Sequence, residues 1–327
     1  MKNLASLPLE ITGNGWIKNT FVPLIFFMSM LFVHTMMAQP IPFKFSHEDY
    51  MLYTSEYEGE RFPDGRPKVS KDILEKMKQA TIEEVWAVLR NHGYNCQFEQ
   101  GWVMTHENPV LVGRAVTCSF IPHRPDVADV VVREGEKQGL QGRDKHWMMD
   151  KLVEDDVIVA DLFGKQVGGA FVGDNLANMI HKKTGTGMVV DGGCRDLAGV
   201  LELPDFYVFN RNWHPSTSST YDQSMMMGMN IPVRIGEAAV MPGDVVLGLR
   251  EGVIFVPAHL AIEVVETSEI VQLRDAFGFQ RLREGTYTAG QIDTQWTDEI
   301  RADFMEWIKT QNTRLSSFQE ELIKTID

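Results

Sequence analysis

Gly173-Asp174-Asn175-Leu176 and Asp191-Gly192-Gly193-Cys194-Arg195-Asp196 are the two stretches that decide the fold. The first follows an apolar run at 156–161 and the second follows another at 188–190, and short apolar runs of this kind are typical of buried strands. The residues between the two stretches have the spacing of a helix. A strand, a helix and a second strand predict a parallel crossover, and therefore an α/β fold with a mixed sheet.

The helix of this crossover has signals at its end as well as at its start. Leu176, Met179 and Ile180 lie on one face of the expected helix. Basic residues fill the last turn, and Gly185 follows as a helix stop. We therefore expect the helix to begin at Asp174 and to end just before Gly185.

The start of this helix is a candidate carboxylate site. Backbone amides in the first turn of a helix have no partner within it, and the positive end of the helix dipole attracts anions. The amides expected to bind substrate are those of Gly173, Asp174, Asn175 and Leu176.

The second stretch supplies the side chains of the candidate site. The strand is expected to end at Asp191, so that a tight turn at Gly192-Gly193 presents Arg195 and Asp196. The planar guanidinium of Arg195 can bind a carboxylate or an enolate oxygen with two hydrogen bonds. Asp196 offers a hard oxygen ligand, and one carboxylate with waters and substrate oxygens is a common Mg²⁺ arrangement. Arg195 and Asp196 are therefore the candidate catalytic residues, for a small 2-oxo acid handled by a divalent metal.

At these residues the chain resembles the family of the regulator of ribonuclease activity A, the RraA-like family. The shared pattern is G-x-x-L followed by D-G-x-x-R-D, with 22 residues from Gly173 to Arg195. The resemblance also covers residues 113–117, 242–244 and 252–257, and it spans roughly residues 75 to 265. The family includes class II 4-hydroxy-4-methyl-2-oxoglutarate aldolases, and members are often labelled demethylmenaquinone methyltransferase-like.

The resemblance implies a fold and a site. The fold would be a layered β/β/α sandwich like the swivelling phosphohistidine domain, assembled as a homotrimer or a hexamer with active sites between subunits. The amides of 173–176 and the Arg195 side chain would bind substrate, and Asp196 would bind Mg²⁺ or Mn²⁺. Glu251 supplies an acidic residue that many relatives carry before a late strand, whereas Leu249 stands where Asp is frequent.

Three functions are compatible with this resemblance. The leading expectation is a divalent-metal-dependent lyase that releases pyruvate from a 2-oxo acid by retro-aldol cleavage or decarboxylation. A non-catalytic binding or regulatory protein is the alternative. A methyltransferase is a third reading, but the sequence shows no glycine-rich strand end typical of S-adenosylmethionine binding.

The net charge of −14 bears on the partners of this 327-residue chain. Nucleic-acid binding usually requires a basic face, so we expect no nucleic-acid partner. An anionic substrate must then be attracted by local groups such as Arg195 and a metal, since the overall field repels it.

Residues 1–38 have the pattern of a signal peptide or an N-terminal anchor. Lys2 and Lys18 precede an apolar run at 21–33, which has signal-peptide length. Cleavage is expected between Ala38 and Gln39, and an uncleaved anchor is the alternative. Either outcome predicts an exported protein, periplasmic or secreted, with membrane contact only if the segment is retained.

The remainder of the chain divides into three parts. Residues 39–95 are expected to form an N-terminal helical segment, 96–265 the catalytic core, and 266–327 a C-terminal helical extension. In the extension, Thr297 is expected to cap a helix with an apolar stripe of Ile300, Phe304, Trp307 and Ile308.

Several further expectations concern single features. The apolar run 127–132 predicts a strand, and Trp86 is expected in the core. The charges of loop 60–67 are expected to be solvated, and contact of Arg61 or Arg66 with a substrate or a neighbouring subunit is the alternative. With only three cysteines, a disulfide framework is not expected. A nucleophilic role for Cys194 is an alternative to metal chemistry that its neighbours support less well.

Overall fold

A computed structural model describes residues 42–216, 223–311 and 313–325, and the expected signal segment lies outside them. Its main feature is a nine-stranded sheet. The strands are β1 (Phe98–Glu99), β2 (Val103–Met104), β3 (Leu111–Pro122), β4 (Asp156–Lys165), β5 (Met188–Cys194), β6 (Val208–Trp213), β7 (Ser224–Met229), β10 (Val245–Leu249) and β11 (Gly252–Val256). Their order in the sheet is β1-β11-β10-β3-β4-β5-β6-β2, with β7 paired to β3. A separate hairpin contains β8 (Val233–Ile235) and β9 (Ala238–Val240).

The middle of the sheet is parallel and its flanks are antiparallel. Strand β3 pairs in parallel with β4, β4 with β5, and β5 with β6. Strands β10 and β11 form an antiparallel hairpin that pairs with β3. This arrangement confirms the predicted α/β class with a mixed sheet and the parallel pairing of the two strands around the site.

Helices cover one face of the sheet. They are α1 (His47–Tyr53), α2 (Lys71–Met77), α3 (Ile82–Asn91), α4 (Pro125–Lys137), α5 (Asp144–Met149), α6 (Asp174–Thr184), α7 (Leu197–Val200), α8 (Ala261–Glu284), α9 (Ala289–Ile292), α10 (Asp298–Thr310) and α11 (Ser317–Thr325). Side chains of α4, α5 and α6 share one apolar core with β3, β4 and β5, and those of α2, α3 and α8 share another with β10 and β11. The β8–β9 hairpin covers the opposite face of the sheet.

The C-terminal helices α10 and α11 pack on the long helix α8, most of which belongs to the C-terminal extension itself. Helix α10 is capped by Thr297 as predicted, because its hydroxyl accepts a hydrogen bond from the Ile300 amide. The predicted apolar stripe is buried against Phe277 of α8, together with Trp296. Its aromatic members therefore find their core within the same chain.

The predicted strand at 127–132 is wrong, because these residues form part of α4. Pro125 occupies the first turn of this helix, where its missing N–H is tolerated. Gly135 packs against the indole of Trp147 so closely that a Cβ there would lie 2.4 Å from the ring. This contact between α4 and α5 outweighs the strand propensity of the three consecutive valines.

Two other expectations are also corrected. Trp86 is 40% exposed instead of being in the core, and the Arg90 guanidinium lies 4.7 Å from the centre of its ring. The charges of loop 60–67 are not all solvated, since Arg66 is buried in an ion pair with Asp156 at 2.9 Å. The Arg61 guanidinium donates hydrogen bonds to backbone carbonyls of the same segment, so it too has a structural role.

Candidate functional site

The crossover helix α6 begins and ends where the sequence predicts. Gly173 is its N-cap, and Gly185 follows in the left-handed conformation with φ of 68°. The Gly185 amide donates to the carbonyl of His181, which closes the last turn. Glycine suits this position because a side chain would be strained at positive φ.

Strand β5 is longer than expected, which corrects the predicted turn at Gly192-Gly193. Both glycines lie within the strand, which continues to Cys194. A Cβ on Gly192 would lie 2.6 Å from the Leu162 side chain, and one on Gly193 would lie 2.8 Å from the Gln166 carbonyl oxygen. These glycines therefore permit close packing against the end of β4 and do not form a turn.

Backbone hydrogen bonds hold the start of α6 beside the end of β5. The Phe171 amide donates to the Gly193 carbonyl at 2.8 Å, and the Arg195 amide donates to the Val172 carbonyl at 3.0 Å. This short ladder brings Gly173 against the Arg195-Asp196 pair. The structure thus unites the two stretches that the sequence singled out.

Gly173 lies directly under the two candidate catalytic side chains. A Cβ at this position would be 2.3 Å from Oδ2 of Asp196 and 3.0 Å from Nε of Arg195. The two side chains form an ion pair with 3.3 Å between Arg195 Nη1 and Asp196 Oδ2. Their side chains remain 29% and 32% exposed, so a ligand can reach both.

The amides at the start of α6 are partly engaged. The Asn175 amide donates to Oδ1 of Asp174 at 2.7 Å, so the Asp174 side chain already occupies this amide. The Gly173 carbonyl accepts the first bond within the helix, from the Ala177 amide. The amides of Gly173, Asp174 and Leu176 are therefore the remaining candidates for a bound carboxylate.

A small pocket of about 50 Å³ opens at this point. Its lining includes Gly173, Asn175, Leu176 and Arg195, and also Lys145 of α5. Lys145 is 4% exposed, and its Nζ donates to the Ala170 carbonyl at 2.7 Å. Sequence reasoning missed this residue, because its burial depends on a loop 25 residues further along the chain.

Burial changes the proton affinity of two groups near the pocket. Burial lowers the pKa of Lys145 to about 8, and the nearby Arg195 charge acts in the same direction. Burial raises the pKa of the Cys194 thiol to about 12. Cys194 therefore stays protonated at neutral pH, which argues against the nucleophilic alternative.

The donor set suits a cation that keeps most of its waters. Within the described ranges, no group of three or more His, Cys, Asp and Glu side chains is arranged to hold a metal ion. Asp196 is the carboxylate in direct contact with Arg195, and its partial exposure leaves room for solvent oxygens. A single carboxylate fits Mg²⁺, which commonly binds through one or two carboxylates together with waters and substrate oxygens.

Glu251, the acidic residue noted beside the late strand, lies at the other end of the sheet. It belongs to the β10–β11 turn, where Leu249 pairs with Gly252. That turn adjoins Leu111 at the start of β3, whereas Arg195 follows the carboxyl end of the parallel strand β5. Within one chain, Glu251 therefore does not join the Arg195-Asp196 site.

The family of the chain follows from its match to known proteins. A sequence model of RraA-like proteins, described as Aldolase/RraA, matches residues 72–255, more than half of the chain. The chain belongs to the RraA-like family. This match confirms the resemblance inferred from the G-x-x-L and D-G-x-x-R-D pattern.

A curated relative of this RraA-like chain comes from Halalkalibacterium halodurans. It is named putative 4-hydroxy-4-methyl-2-oxoglutarate aldolase and is 29% identical over 120 residues. The alignment covers 37% of the present chain and 55% of the relative, so the chain spans about half the length of that protein.

Two solved structures resemble the RraA-like chain in fold. Streptomyces coelicolor RraAS2, described as an unusual member of the RNase ES inhibitor RraA protein family, has a TM-score of 0.52 at 24% identity, and the match covers 68% of this chain and 97% of that one. An uncharacterised protein from Pseudomonas syringae pv. tomato has a TM-score of 0.56 at 19% identity, with 72% and 99% covered. At these identities the likeness concerns the fold alone.

A helix that crosses a bilayer needs about 20 consecutive, mostly apolar residues. None of the helices within residues 42–216, 223–311 and 313–325 is both long and apolar enough to cross a bilayer.

Proposed function

We propose that this protein is a divalent-metal-dependent lyase that releases pyruvate from a 2-oxo acid, by retro-aldol cleavage or decarboxylation. The observation that carries the proposal is the packing of Gly173 under the Arg195-Asp196 pair. The start of α6 and the Arg195 guanidinium line one small pocket, and the metal-capable carboxylate of Asp196 is paired with that guanidinium. The curated relative named as an aldolase supports the same reaction class.

The substrate carboxylate would bind at the start of α6. The amides of Gly173, Asp174 and Leu176 lie at the positive end of the helix dipole, which favours an anion. The Asn175 amide can keep its bond to the Asp174 carboxylate while this happens.

Arg195 would stabilise the charge that develops in the reaction. Breaking the C–C bond releases the other fragment, either as a carbonyl compound whose hydroxyl proton goes to solvent or as CO2. The electron pair of the bond stays on the pyruvyl fragment, whose oxygen becomes an enolate. A planar guanidinium donor beside this oxygen stabilises the transition state more than the ground state, and protonation of the enolate carbon then gives pyruvate. The ion pair with Asp196 holds Arg195 in place for this task.

Asp196 would hold the metal. When bound, Mg²⁺ or Mn²⁺ supplies Lewis-acid polarisation of the substrate oxygens. Asp196 sits at the N-cap of α7 in the left-handed conformation, with φ of 61°, which aims its side chain toward Gly173.

The assembly and location of the protein belong to the same proposal. Membership of the family supports a homotrimer or hexamer with sites between subunits, a layout in which Glu251 of one copy could approach the site of another. It also supports the swivelling phosphohistidine-like β/β/α arrangement. The apolar run at 21–33 supports export.

A pyruvate-release assay tests the function. Purified protein with Mn²⁺ is incubated with a panel of 2-oxo acids, and pyruvate is followed through lactate dehydrogenase. Arg195→Ala protein serves as the matched control, since contaminating lyases would remain active in both preparations. Pyruvate release by wild type alone supports the lyase; equal release by both, or none from any substrate, would leave the non-catalytic binding protein as the better explanation.

A further inference from the structure

Among the residues that the structure describes, the buried cation Lys145 has no anionic partner within ion-pair distance. It is 4% exposed, and its one hydrogen-bond acceptor is the neutral carbonyl of Ala170. In the part of the chain that the structure describes, no carboxylate oxygen lies within 4 Å of its Nζ. An ammonium group has three donors, so two remain for a ligand. Burying such a charge without a counter-ion is costly.

The neighbouring carboxylate does not neutralise Lys145. Oδ1 of Asp144 accepts the backbone amide of Lys145, and Oδ2 accepts the amide of Met226 at 2.9 Å. Asp144 is therefore committed to fixing the backbone of α5 against β7. It acts on Lys145 only as a nearby charge, which favours the ammonium form less than burial disfavours it.

A second cation lines the same pocket. Arg195 and Lys145 both border it, together with the start of α6. Two like charges in one confined space repel each other, and the positive end of a helix dipole adds to that repulsion. An anion bound between Lys145 and Arg195 would reduce the repulsion between the two cations and their repulsion by the positive end of the helix dipole. The small pocket volume, about 50 Å³, restricts this anion to the compact end of a molecule.

We propose that Lys145 is a substrate-binding residue that holds, together with Arg195, the carboxylate and keto oxygens of a 2-oxo acid. This inference rests on the proposed lyase function and names the part of the substrate that enters the pocket. The two- or three-carbon oxo-acid end lies between the two cations, and the remainder of a longer substrate projects outward. Oxalate, which presents the same oxygens in a plane, is a suitable probe.

Lys145→Met separates binding from stability. Methionine keeps much of the aliphatic stem and removes the buried charge, so the variant should unfold at the same temperature as wild type or higher. Oxalate affinity should fall roughly ten- to hundredfold, the range for a lost hydrogen bond to a charged group. Lys151→Met, at an exposed position shortly after α5, is the matched control and should change neither quantity.

Isothermal titration of oxalate measures affinity, once with EDTA and once with Mg²⁺, and thermal unfolding measures stability. Wild-type affinity in Lys145→Met would overturn the inference, as would a loss of stability in parallel with the loss of binding. Absence of oxalate binding to wild type under both conditions would overturn it too. If Lys145→Met does not fold, Lys145→Gln, which can still donate to Ala170, undergoes the same test.

The pyruvate-release assay keeps the two proposals distinguishable. Oxalate binding that depends on Lys145, without pyruvate release from any 2-oxo acid, would sustain the anion site and reject the lyase. Pyruvate release by the wild type, together with oxalate binding that Lys145→Met leaves unchanged, would support the lyase and reject the role of Lys145 in the anion site.

Discussion

Replacing Gly173 by alanine tests the central geometry of the site. The φ of Gly173 is −112°, so alanine meets no backbone strain and only the added methyl group matters. That methyl would lie 2.3 Å from Oδ2 of Asp196, against an ordinary separation of about 3.5 Å, so Asp196 has to move by roughly 1 Å. Nε of Arg195, at 3.0 Å, has to move by a smaller amount.

The expected loss is large in function and small in stability. A misplacement of about 1 Å can reduce turnover about 10²-fold. Because both displaced side chains are partly exposed, the fold can accommodate the methyl at about 1 kcal/mol, near the low end for overpacking. Gly173→Ala should therefore remain folded while binding oxalate at least tenfold more weakly, a drop of about 1.4 kcal/mol.

Titration calorimetry with oxalate and Mg²⁺ provides the measurement without a known substrate. Asn175→Ala removes an exposed side chain at the same helix start and should bind nearly as well as wild type. Gly290→Ala, where a Cβ meets no atom within 4 Å, controls for the glycine-to-alanine change itself. If Gly173→Ala binds oxalate as tightly as these two controls, the ligand does not sit on the start of α6.

Four other outcomes follow from the structure. Arg195→Lys should lower kcat by about 10²–10³ with an unchanged circular dichroism spectrum, because lysine keeps the charge but not the planar fork; normal turnover would remove Arg195 from the mechanism. EDTA should abolish pyruvate release and Mg²⁺ or Mn²⁺ should restore it, whereas full activity after exhaustive chelation would contradict the role given to Asp196. Mature protein from the native host should begin near Gln39 by N-terminal sequencing, and an intact Met1 on cytoplasmic protein would contradict export. Burial places the pKa of Lys145 at about 8, below its usual 10.5, so between these pH values the unfolded chain binds more protons and stability should rise with pH; urea unfolding should show this rise in wild type and a flatter curve in Lys145→Met.

Features with a local cause were predictable from the sequence. Gly185 marks the end of α6 because its positive φ favours glycine, which is a short-range reason. The same holds for the N-cap of α10, where the Thr297 hydroxyl accepts a hydrogen bond from the Ile300 amide. The Arg195-Asp196 pair could be placed near Gly173 because a parallel crossover brings the end of one strand beside the start of the helix.

Features caused by tertiary packing were not predictable. The valine run in α4 has strand propensity, but it lies in a helix that buries Val131 in the core and packs Gly135 against Trp147 of α5. In the sequence, Lys145 resembles an ordinary exposed lysine. Its burial becomes evident only in the tertiary structure, where its Nζ donates to the carbonyl of Ala170. The sequence Gly192-Gly193 is typical of a turn. Only the close packing of both residues against the end of β4 shows that glycine is needed there because a side chain would not fit.

The buried ion pair between Arg66 and Asp156 determines where an expression fragment of this protein can begin. The matched family region starts at residue 72, but the guanidinium that binds both carboxylate oxygens of Asp156 precedes it. A fragment cut at that boundary would leave Asp156, which is fully buried at the beginning of β4, without this partner. Removing one member of a buried ion pair destabilises a fold by about 3–5 kcal/mol when the other charge is left uncompensated. Asp156 would keep Arg114, whose Nε lies 3.6 Å from Oδ1, so the loss should be smaller than this but still a notable share of typical total stability. The segment ahead of the recognised homology is thus an integral part of the folding unit, and a minimal soluble version should retain it.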